Sequence, residues 1–284
     1  MEQQTRSVGR IITPVQVSEG AGVRLKRSIA TAELDHHDPF LLFDHFGSDN
    51  PDDYIAGFPM HPHRGIETVT YILAGTVTHR DSLGNEGTIG PGDVQWMTSG
   101  RGIMHEEMPK TGEKGMEGFQ LWVNLPAERK MTEPRYQEIS ADMIPVVELG
   151  DGVSVRVIAG EVDGVSGPVT EISADPSYFD ISMAAGSFFS CPVMRGQNTF
   201  AYLYDGQCSF ADVDEGRVVK SPGLILFEDG DLITAHTSEQ AARFLLVSGL
   251  PIGEPIARYG PFVMNTRAEI EETLREIREG TFIR

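Results

Sequence analysis

Short apolar segments alternate with turn-forming residues along most of the chain. In one of them Phe119, Leu121 and Val123 alternate with Gln120, Trp122 and Asn124, and a period of two is typical of a strand with one buried face. The predicted strands cover residues 11–17, 23–29, 67–73, 94–97, 118–125, 136–139, 153–158 and 169–172. Glycines and prolines supply the turns between them, and strands this short indicate an all-β sandwich or barrel.

One helix is predicted, near the C-terminal end of the chain. Thr266 and Glu269 stand three residues apart, as in a capping box, where each side chain satisfies a free backbone donor of the first helical turn. Gly280 is a suitable residue to end the helix. The apolar positions that predict an ordinary packing face are Ile270, Leu274 and Ile277.

The second half of the chain repeats the first at a fixed offset of 131 residues (195 − 64 = 131). A repeat at constant spacing indicates a duplicated structural unit. Residues 126–134, which begin and end with proline, predict the linker. We therefore expect residues 1–134 to form an N-terminal domain and residues 135–284 to form a C-terminal domain that also carries the helix. The matching positions are Arg64, Gly65, Thr68, Tyr71, Gly75, Pro91 and Gly92, paired in order with Arg195, Gly196, Thr199, Tyr202, Gly206, Pro222 and Gly223.

Two short motifs in the first half carry candidate metal ligands. His61 and His63 are two residues apart, as are His105 and Glu107, so each pair lies on one face of a strand. A small antiparallel barrel can bring both pairs onto one interior wall. Three imidazoles and one carboxylate form a mixed nitrogen and oxygen set that suits a divalent transition metal. Histidines at this spacing also occur on solvent-facing strands, so the prediction depends on both pairs being present.

The second half lacks this ligand set. At the offset of 131 residues, the four candidate positions become Pro192, Met194, His236 and Ser238. A single imidazole does not hold a catalytic metal, because such sites use three or more protein ligands. We therefore expect one metal ion per chain, in the N-terminal domain, and a C-terminal domain without metal ligands.

Longer motifs surround the candidate ligands, and further motifs lie elsewhere in the chain. They run from His61 to Val69, from Pro91 to Thr98, from Gly100 to His105, from Asp38 to Asp44 and from Gly260 to Thr266. Together they resemble the pirin family, a branch of the cupin superfamily, over nearly the whole chain. The resemblance implies a bicupin, that is, two antiparallel β-barrel (jelly-roll) domains with a short C-terminal helix. It also implies that His61, His63, His105 and Glu107 bind the metal. The general cupin pattern would instead use Glu67, four residues after His63.

The resemblance further implies an enzyme. Pirins are similar to quercetin 2,3-dioxygenases, which open the heterocyclic ring of a flavonol with dioxygen and release carbon monoxide. In that chemistry Glu107 is both a metal ligand and the base that accepts the proton of the flavonol 3-hydroxyl. Iron(II) is the expected metal, with manganese, nickel, copper or zinc as alternatives. Candidate apolar walls for the aromatic substrate are Phe58, Met60, Trp96 and Met97, although core packing would require the same residue types.

A function of a different class fits the same sequence. Other pirins are iron-dependent regulatory proteins that respond to the oxidation state of the metal and recruit a protein partner. Nothing in the residue pattern separates this hypothesis from the dioxygenase. Oxygen uptake and carbon monoxide release after addition of a flavonol would separate them.

Charge and composition narrow the class of partners. The 284 residues include 42 acidic and 23 basic side chains, for a net charge of −19. Such a surface repels nucleic acids and anionic membranes, so we expect no direct nucleic-acid binding. A local basic patch at Arg6, Arg24, Lys26 and Arg27 is the alternative.

The sequence also predicts where the protein resides. The first residues lack the apolar core of a secretory signal, and no apolar run approaches the ~18 to 20 residues of a membrane helix. The two cysteines, Cys191 and Cys208, do not form a disulfide framework and are expected to be reduced and buried. We expect a monomeric, cytoplasmic protein.

Overall fold

The computed structural model describes residues 3–112, 115–211 and 217–283. Neighbouring strands pair antiparallel throughout, and there is one α-helix among the described residues. The strands of the first half are β1 (Val8–Ile12), β2 (Val15–Glu19), β3 (Val23–Ile29), β4 (Phe40–Ser48), β5 (Phe58–His63), β6 (Ile66–Ala74), β7 (Thr76–Asp81), β8 (Glu86–Ile89), β9 (Val94–Thr98), β10 (Ile103–Lys110), β11 (Met116–Asn124) and β12 (Arg135–Ile139). Those of the second half are β13 (Val146–Gly150), β14 (Val153–Ala159), β15 (Glu161–Val162), β16 (Val165–Ser166), β17 (Ser177–Met183), β18 (Phe188–Pro192), β19 (Asn198–Phe210), β20 (Arg217–Lys220), β21 (Gly223–Phe227), β22 (Leu232–His236), β23 (Ala242–Gly249), β24 (Ala257–Tyr259) and β25 (Phe262–Met264). Helix α1 spans Arg267–Glu279, and short 3-10 helices lie at Pro51–Asp53, Ala127–Arg129 and Ala141–Met143.

One compact unit contains residues 15–141 and 252–284. Its larger sheet has the strand order β12-β9-β6-β11-β4-β3-β2, and its smaller sheet has the order β5-β10-β7-β8. The alternation predicted for β11 is observed from Phe119 to Val123, whereas Asn124, which the pattern placed on the opposite face, is 1% exposed. Phe119, Leu121 and Val123 are fully buried, whereas Gln120 and Trp122 are partly buried. Gln120 and Trp122 therefore point away from the core of this sheet, into the cavity described below.

The other unit contains residues 1–14 and 142–251. Its main sheet follows the order β1-β21-β19-β23-β17-β14-β13. Strand for strand this repeats the larger sheet of the first unit, with β19 in the place of β6, β23 in that of β11 and β17 in that of β4. Outside the main sheets, the pair β18 and β22 corresponds to the pair β5 and β10. The long strand β19 continues into a second sheet with β18, β20 and β22. The prediction of two similar antiparallel β domains is thus confirmed.

Glycines mark the repeat at the level of single residues. Gly65 and Gly196, which are 131 residues apart, have φ values of 79° and 80°. Gly75 and Gly206, at the same offset, have φ values of 79° and 74°. Side chains other than glycine rarely adopt this left-handed conformation. Gly65 and Gly196 precede the equivalent strands β6 and β19, and Gly75 follows β6 whereas Gly206 lies within the longer β19. The two halves therefore share the same backbone conformation at equivalent positions.

One edge strand of each main sheet comes from the other side of the predicted domain boundary at residue 134. β12 pairs with β9 in the first unit, and β1 pairs with β21 in the second. The units therefore differ from a division at residue 134: residues 1–14 belong with the second half, and residues 135–141 and 252–284 belong with the first. An edge strand offers backbone donors and acceptors to any strand that reaches it, so the linker pattern alone did not predict this exchange.

Two predicted strands also differ from the structure. Residues 11–17 belong to the end of β1 and the start of β2, which are separated at Pro14. Proline has no N–H to donate to a sheet and a restricted φ, which is consistent with this break. Residues 169–172 form no strand, and Val169 makes only an isolated bridge to Ala159.

Helix α1 has the predicted ends. The Thr266 side chain accepts a hydrogen bond from the Glu269 backbone N–H, the Glu269 carboxylate accepts one from the Thr266 N–H, and Gly280 is left-handed. The buried face differs in part from the apolar stripe, because it consists of Ile270, Thr273 and Glu276. This helix therefore buries polar side chains, and these turn out to have a buried partner in Arg64.

Cys191 and Cys208 are free and buried in the second unit, as expected. Burial raises the pKa of Cys191 to about 11 and that of Cys208 to about 12. Both thiols are therefore protonated at pH 7. In the part of the chain that the structure describes, no helix is long and apolar enough to cross a membrane.

Candidate metal centre

Strands β5 and β10 pair and carry the three predicted histidines. His105 lies opposite His61, and Ile103 lies opposite His63. Ligand nitrogens of His61, His63 and His105 all lie within 4.8 Å of one another, and the ring centroids of His61 and His105 are 4.4 Å apart. Among residues 3–112, 115–211 and 217–283, this is the one group of three or more potential ligands that converges in this way.

Two of the three imidazoles are almost completely buried. His63 is 3% exposed and His105 is 1% exposed. Burial lowers the pKa of His63 well below its usual value, and His105 and His61 lower it further. Burial also lowers the pKa of His105, with a further contribution from His61. Both rings are therefore neutral at pH 7, which is the form that offers a lone pair to a metal.

The hydrogen bonds of the three imidazoles leave nitrogen lone pairs available to a cation. His61 Nδ1 is 3.0 Å from the Pro59 carbonyl oxygen, and because a carbonyl only accepts, Nδ1 carries the hydrogen. The lone pair of His61 Nε2 then faces His63 Nε2 at 3.0 Å. Both ring nitrogens of His105 are buried with no hydrogen-bond partner among the described residues. An unpaired buried polar atom is costly, and a divalent cation among the rings would satisfy one nitrogen of each imidazole. The residues present thus fit a metal ion.

Glu107 lies on β10 with the histidines nearby but outside their group. Because β5 contains a bulge, the residue opposite Glu107 is Phe58. The Glu107 side chain is 5% exposed, and its Oε1 accepts hydrogen bonds from Thr70 Oγ1 at 3.1 Å and Gln120 Nε2 at 3.5 Å. Its carboxylate oxygens are not part of the group of nitrogens within 4.8 Å. The structure therefore places Glu107 inside the unit, hydrogen-bonded to a residue of the cavity.

Glu67, the alternative carboxylate ligand, has partners in the core. It is 2% exposed. One of its oxygens accepts a hydrogen bond from Trp96 Nε1 at 3.1 Å, and the other accepts one from Thr98 Oγ1 at 2.8 Å. Glu67 therefore joins β6 to β9 and is not in the histidine group.

A cavity of about 430 Å³ lies beside the histidines. His61 and His63 line it, together with the apolar side chains of Leu42, Phe58 and Trp122. The Trp122 ring is nearly perpendicular to the His63 ring, with the centroids 5.1 Å apart. Cavities of roughly 300–1,000 Å³ are typical of small-molecule sites. The site therefore has space for an organic ligand next to the imidazoles.

Of the four residues predicted to contact a substrate, Phe58 lines this cavity. Trp96 and Met97 do not, because they lie on β9, which is buried between β12 and β6, and are 1% and 0% exposed. Met60 is 46% exposed and is also absent from the cavity wall. The aromatic wall that the sequence interpretation missed is Trp122, which stands at a partly buried, alternate position of β11.

Charged side chains form another wall of the cavity. Arg27 donates to both carboxylate oxygens of Asp44, at 2.8 and 2.7 Å, and to Glu19 at 2.7 Å. Burial opposes the charge of Arg27, but the hydrogen bonds and charges of Asp44 and Glu19 outweigh it and raise its pKa. The Arg258 guanidinium lies 5.0 Å from the centre of the Trp122 ring. The cavity thus combines an aromatic surface with paired charges.

The basic patch considered as an alternative does not form from these arginines. Arg6 is 1% exposed and belongs to the unit that contains residues 142–251. Arg27 is bound by Asp44 and Glu19, and Arg24 is 3.1 Å from Asp53. Their positive charges are therefore buried or balanced by carboxylates.

Two β units with the same strand order, one of which carries three converging histidines beside a cavity, define the bicupin class of protein. Comparison with known families makes the assignment more specific. The pirin family profile matches residues 22–123, and the profile for the pirin C-terminal cupin domain matches residues 178–283. The chain belongs to the pirin family.

Individual relatives agree with this assignment. Human pirin is 41% identical over 92% of this chain and 88% of its own length. A Pseudomonas aeruginosa protein that has been proposed to be a quercetin 2,3-dioxygenase is 44% identical over 97% of each chain. The crystal structure of a quercetin 2,3-dioxygenase from Acinetobacter baumannii matches with a TM-score of 0.89 and 34% identity, covering 98% of this chain and 99% of that one. The bicupin fold inferred from the sequence is thereby confirmed.

Proposed function

We propose that this protein is an iron-dependent dioxygenase that opens the heterocyclic ring of flavonols such as quercetin and releases carbon monoxide. His61, His63 and His105 would hold one iron(II) ion, and Glu107 would supply the carboxylate. The observation that carries the proposal is the convergence of three imidazoles, two of them buried and neutral, beside a cavity of about 430 Å³. The likeness to a quercetin 2,3-dioxygenase at 34% identity supports the choice of substrate class.

The cavity suits a planar, hydroxylated aromatic molecule. Phe58 and Trp122 provide aromatic surface on its walls, and burial of flat rings against such side chains is favourable. Asp44 and Glu19 provide carboxylate oxygens that can accept hydrogen bonds from phenolic hydroxyls. An acid that has an apolar body and no hydroxyl groups would displace water from these carboxylates. It would offer them no hydrogen bond in return, so its binding would be weaker.

In the proposed reaction, Glu107 accepts the proton of the flavonol 3-hydroxyl. Thr70 and Gln120 both donate to Glu107 Oε1, so one carboxylate oxygen is oriented by the protein and the other is left to take the proton. Gln120 lines the cavity, which links the base to the substrate space. The metal, when bound, supplies Lewis acidity and a site for redox chemistry with dioxygen. Both oxygen atoms of dioxygen end in the ring-opened ester, one on each of the two carbons that flank C3, and C3 leaves as carbon monoxide with the oxygen of the former 3-hydroxyl, so the net reaction needs no external reductant.

The experiment compares metal content and turnover in matched variants. The protein is purified without added metal, its metal content is measured, and it is loaded with iron(II) under anaerobic conditions. Quercetin and oxygen are then added, and oxygen uptake and carbon monoxide release are followed. The wild type should bind one iron per chain and produce carbon monoxide in proportion to the oxygen consumed.

The control variant uses the repeat. His236 stands where His105 stands in the first half, and its Nδ1 is 3.1 Å from the Ser187 carbonyl oxygen. The His61→Ala, His63→Ala double variant should lose both iron and turnover, whereas His236→Ala should keep both. Iron binding by wild type without any flavonol turnover would reject the dioxygenase and favour the regulatory function. Full iron content in the double variant would reject this metal site.

A further inference from the structure

The second unit contains its own cavity, of about 600 Å³, at the position equivalent to the cavity beside the histidines. The first cavity is lined from β4, β5 and β11, and the second from their counterparts β17, β18 and β23. Pro192 and Met194, which replace His61 and His63 in the repeat, both line it. The duplicated unit has thus lost the metal ligands and kept the cavity.

The interior of this second cavity is built from apolar and neutral polar side chains. Phe179 and Leu246 form apolar walls and are 3% and 2% exposed. Ser248 and Gln197, which are 3% and 6% exposed, line it as well. Ser248 Oγ donates to Gln197 Oε1 at 3.1 Å, so what the hydroxyl offers to a ligand is its oxygen lone pairs. The Ser248 oxygen can therefore accept a hydrogen bond from a ligand that donates one.

The charged residues around this cavity have one sign. Glu161, Glu171 and Asp175 line it and are exposed, and no lysine, arginine or histidine is among its lining residues in the described part of the chain. Like-signed charges at the mouth of a cleft attract ligands of opposite charge and repel ligands of the same charge. The first cavity differs, because it contains Arg27 and Arg258.

We propose that the second cavity is a metal-independent binding site for a small organic cation, an ammonium group on an apolar body. The apolar part packs against Phe179 and Leu246, and the ammonium donates to the Ser248 oxygen under the attraction of the carboxylates. The volume of about 600 Å³ accommodates one ring and a short side chain with space remaining for water. This proposal does not depend on the metal or on flavonol turnover in the first unit.

The test uses 2-phenylethylammonium as the probe and isothermal titration calorimetry as the measurement. The full-length protein should bind one probe molecule per chain. The anion 3-phenylpropanoate, which has a similar size and the opposite charge, should not bind. Replacing the three carboxylates together, by Glu161→Gln, Glu171→Gln and Asp175→Asn, should weaken cation binding by about threefold to thirtyfold and reduce its salt dependence. These residues are exposed, so the change leaves the core intact.

Filling the cavity separates binding inside it from binding to the acidic surface. Val193→Trp, at a half-buried lining position, and Thr170→Trp, at an exposed one, should each abolish probe binding while the circular dichroism spectrum and the iron content stay as in wild type. The matched control, Leu42→Trp in the first cavity, should leave cation binding unchanged. Absence of binding to wild type, equal affinity for the anion, or unchanged binding in both tryptophan variants of the second cavity would overturn the proposal.

Discussion

A buried ion pair that holds the C-terminal helix gives the sharpest prediction about stability. Arg64 is 2% exposed, and its Nη2 lies 2.5 Å from the Glu276 carboxylate of α1. It also donates from Nη1 to Thr273 Oγ1 at 2.9 Å and places its guanidinium 4.6 Å from the centre of the Phe282 ring. Arg64→Met removes these interactions and leaves the Glu276 carboxylate buried without its cation.

The expected cost follows from this geometry. Removing one member of a buried, hydrogen-bonded ion pair typically costs about 3–5 kcal/mol, since the remaining charge is desolvated and uncompensated. Glu276→Met should cost a similar amount, because it leaves the guanidinium of Arg64 without its carboxylate. The double variant leaves no buried charge, so its loss should be smaller than the sum of the single losses by at least about 2 kcal/mol.

Tryptophan fluorescence reports on the unit that contains the ion pair between Arg64 and Glu276. The chain has two tryptophans, Trp96 and Trp122, and both lie in the unit that contains residues 15–141 and 252–284. Urea unfolding followed by fluorescence therefore measures the unit that holds the ion pair. Arg267→Ala, which breaks an exposed pair with Glu271 at the start of the same helix, is the matched control and should leave the midpoint unchanged. A loss below about 1 kcal/mol for Arg64→Met, or single losses that simply add in the double variant, would refute the reasoning.

Three further predictions concern other groups. Glu107→Gln, loaded to equal iron occupancy, should lower flavonol turnover by ~10² to 10⁴ because an amide does not accept the proton, and equal rates under oxygen would exclude Glu107 as the base. Cys191 and Cys208 should react with a thiol reagent at pH 8 only after unfolding, since burial raises the pKa of each to about 11 or above; two fast-reacting thiols in the native protein would contradict their burial. Burial lowers the pKa of Lys130 to about 8 from 10.5. Between these two values the folded state binds fewer protons than the unfolded state. The free-energy cost of burying the charged ammonium, which is present below pH 8, is therefore relieved as the pH rises. Relative to Lys130→Met, the wild type should therefore gain unfolding free energy between pH 8 and pH 10.5, as measured by urea unfolding at several pH values. A difference in unfolding free energy between the two proteins that stays constant with pH would show that Lys130 does not titrate in this range.

Local patterns predicted the elements whose physics is local. The capping box and Gly280 determine where α1 begins and ends, because the donors and acceptors that they satisfy lie within four residues. Alternation along β11 predicted which side chains are buried, since neighbouring residues of a strand face opposite sides. The two histidine motifs could be found for the same reason. The duplication could be recognised because equivalent turns require glycine at equivalent positions, as at Gly65 and Gly196.

Interactions between distant segments could not be predicted in this way. Arg64 and Glu276 are 212 residues apart in sequence, and neither carries a local signal that it is buried. Lys130 is likewise 1% exposed and donates to the carbonyl oxygens of Gly65 and Val263, at 2.9 and 3.0 Å. These pairs form because the C-terminal segment packs on the first unit, and burial of a charge is decided by what covers it and not by its neighbours in sequence.

Tertiary structure also decided which aromatic residue lines the cavity. Alternation places Trp122 on the face of β11 opposite Phe119, Leu121 and Val123, but it does not indicate that this face lines a cavity, and β9, which carries Trp96, is buried on both faces. Trp96 donates to Glu67 in the core, whereas Trp122 lies beside His63. The exchange of edge strands β1 and β12 has the same origin, because unpaired backbone groups at a sheet edge accept any strand of suitable direction. Sequence determined strands with a clear local pattern, such as β3, β6 and β11, and the packing of strands from distant parts of the chain decided which faces meet around the site.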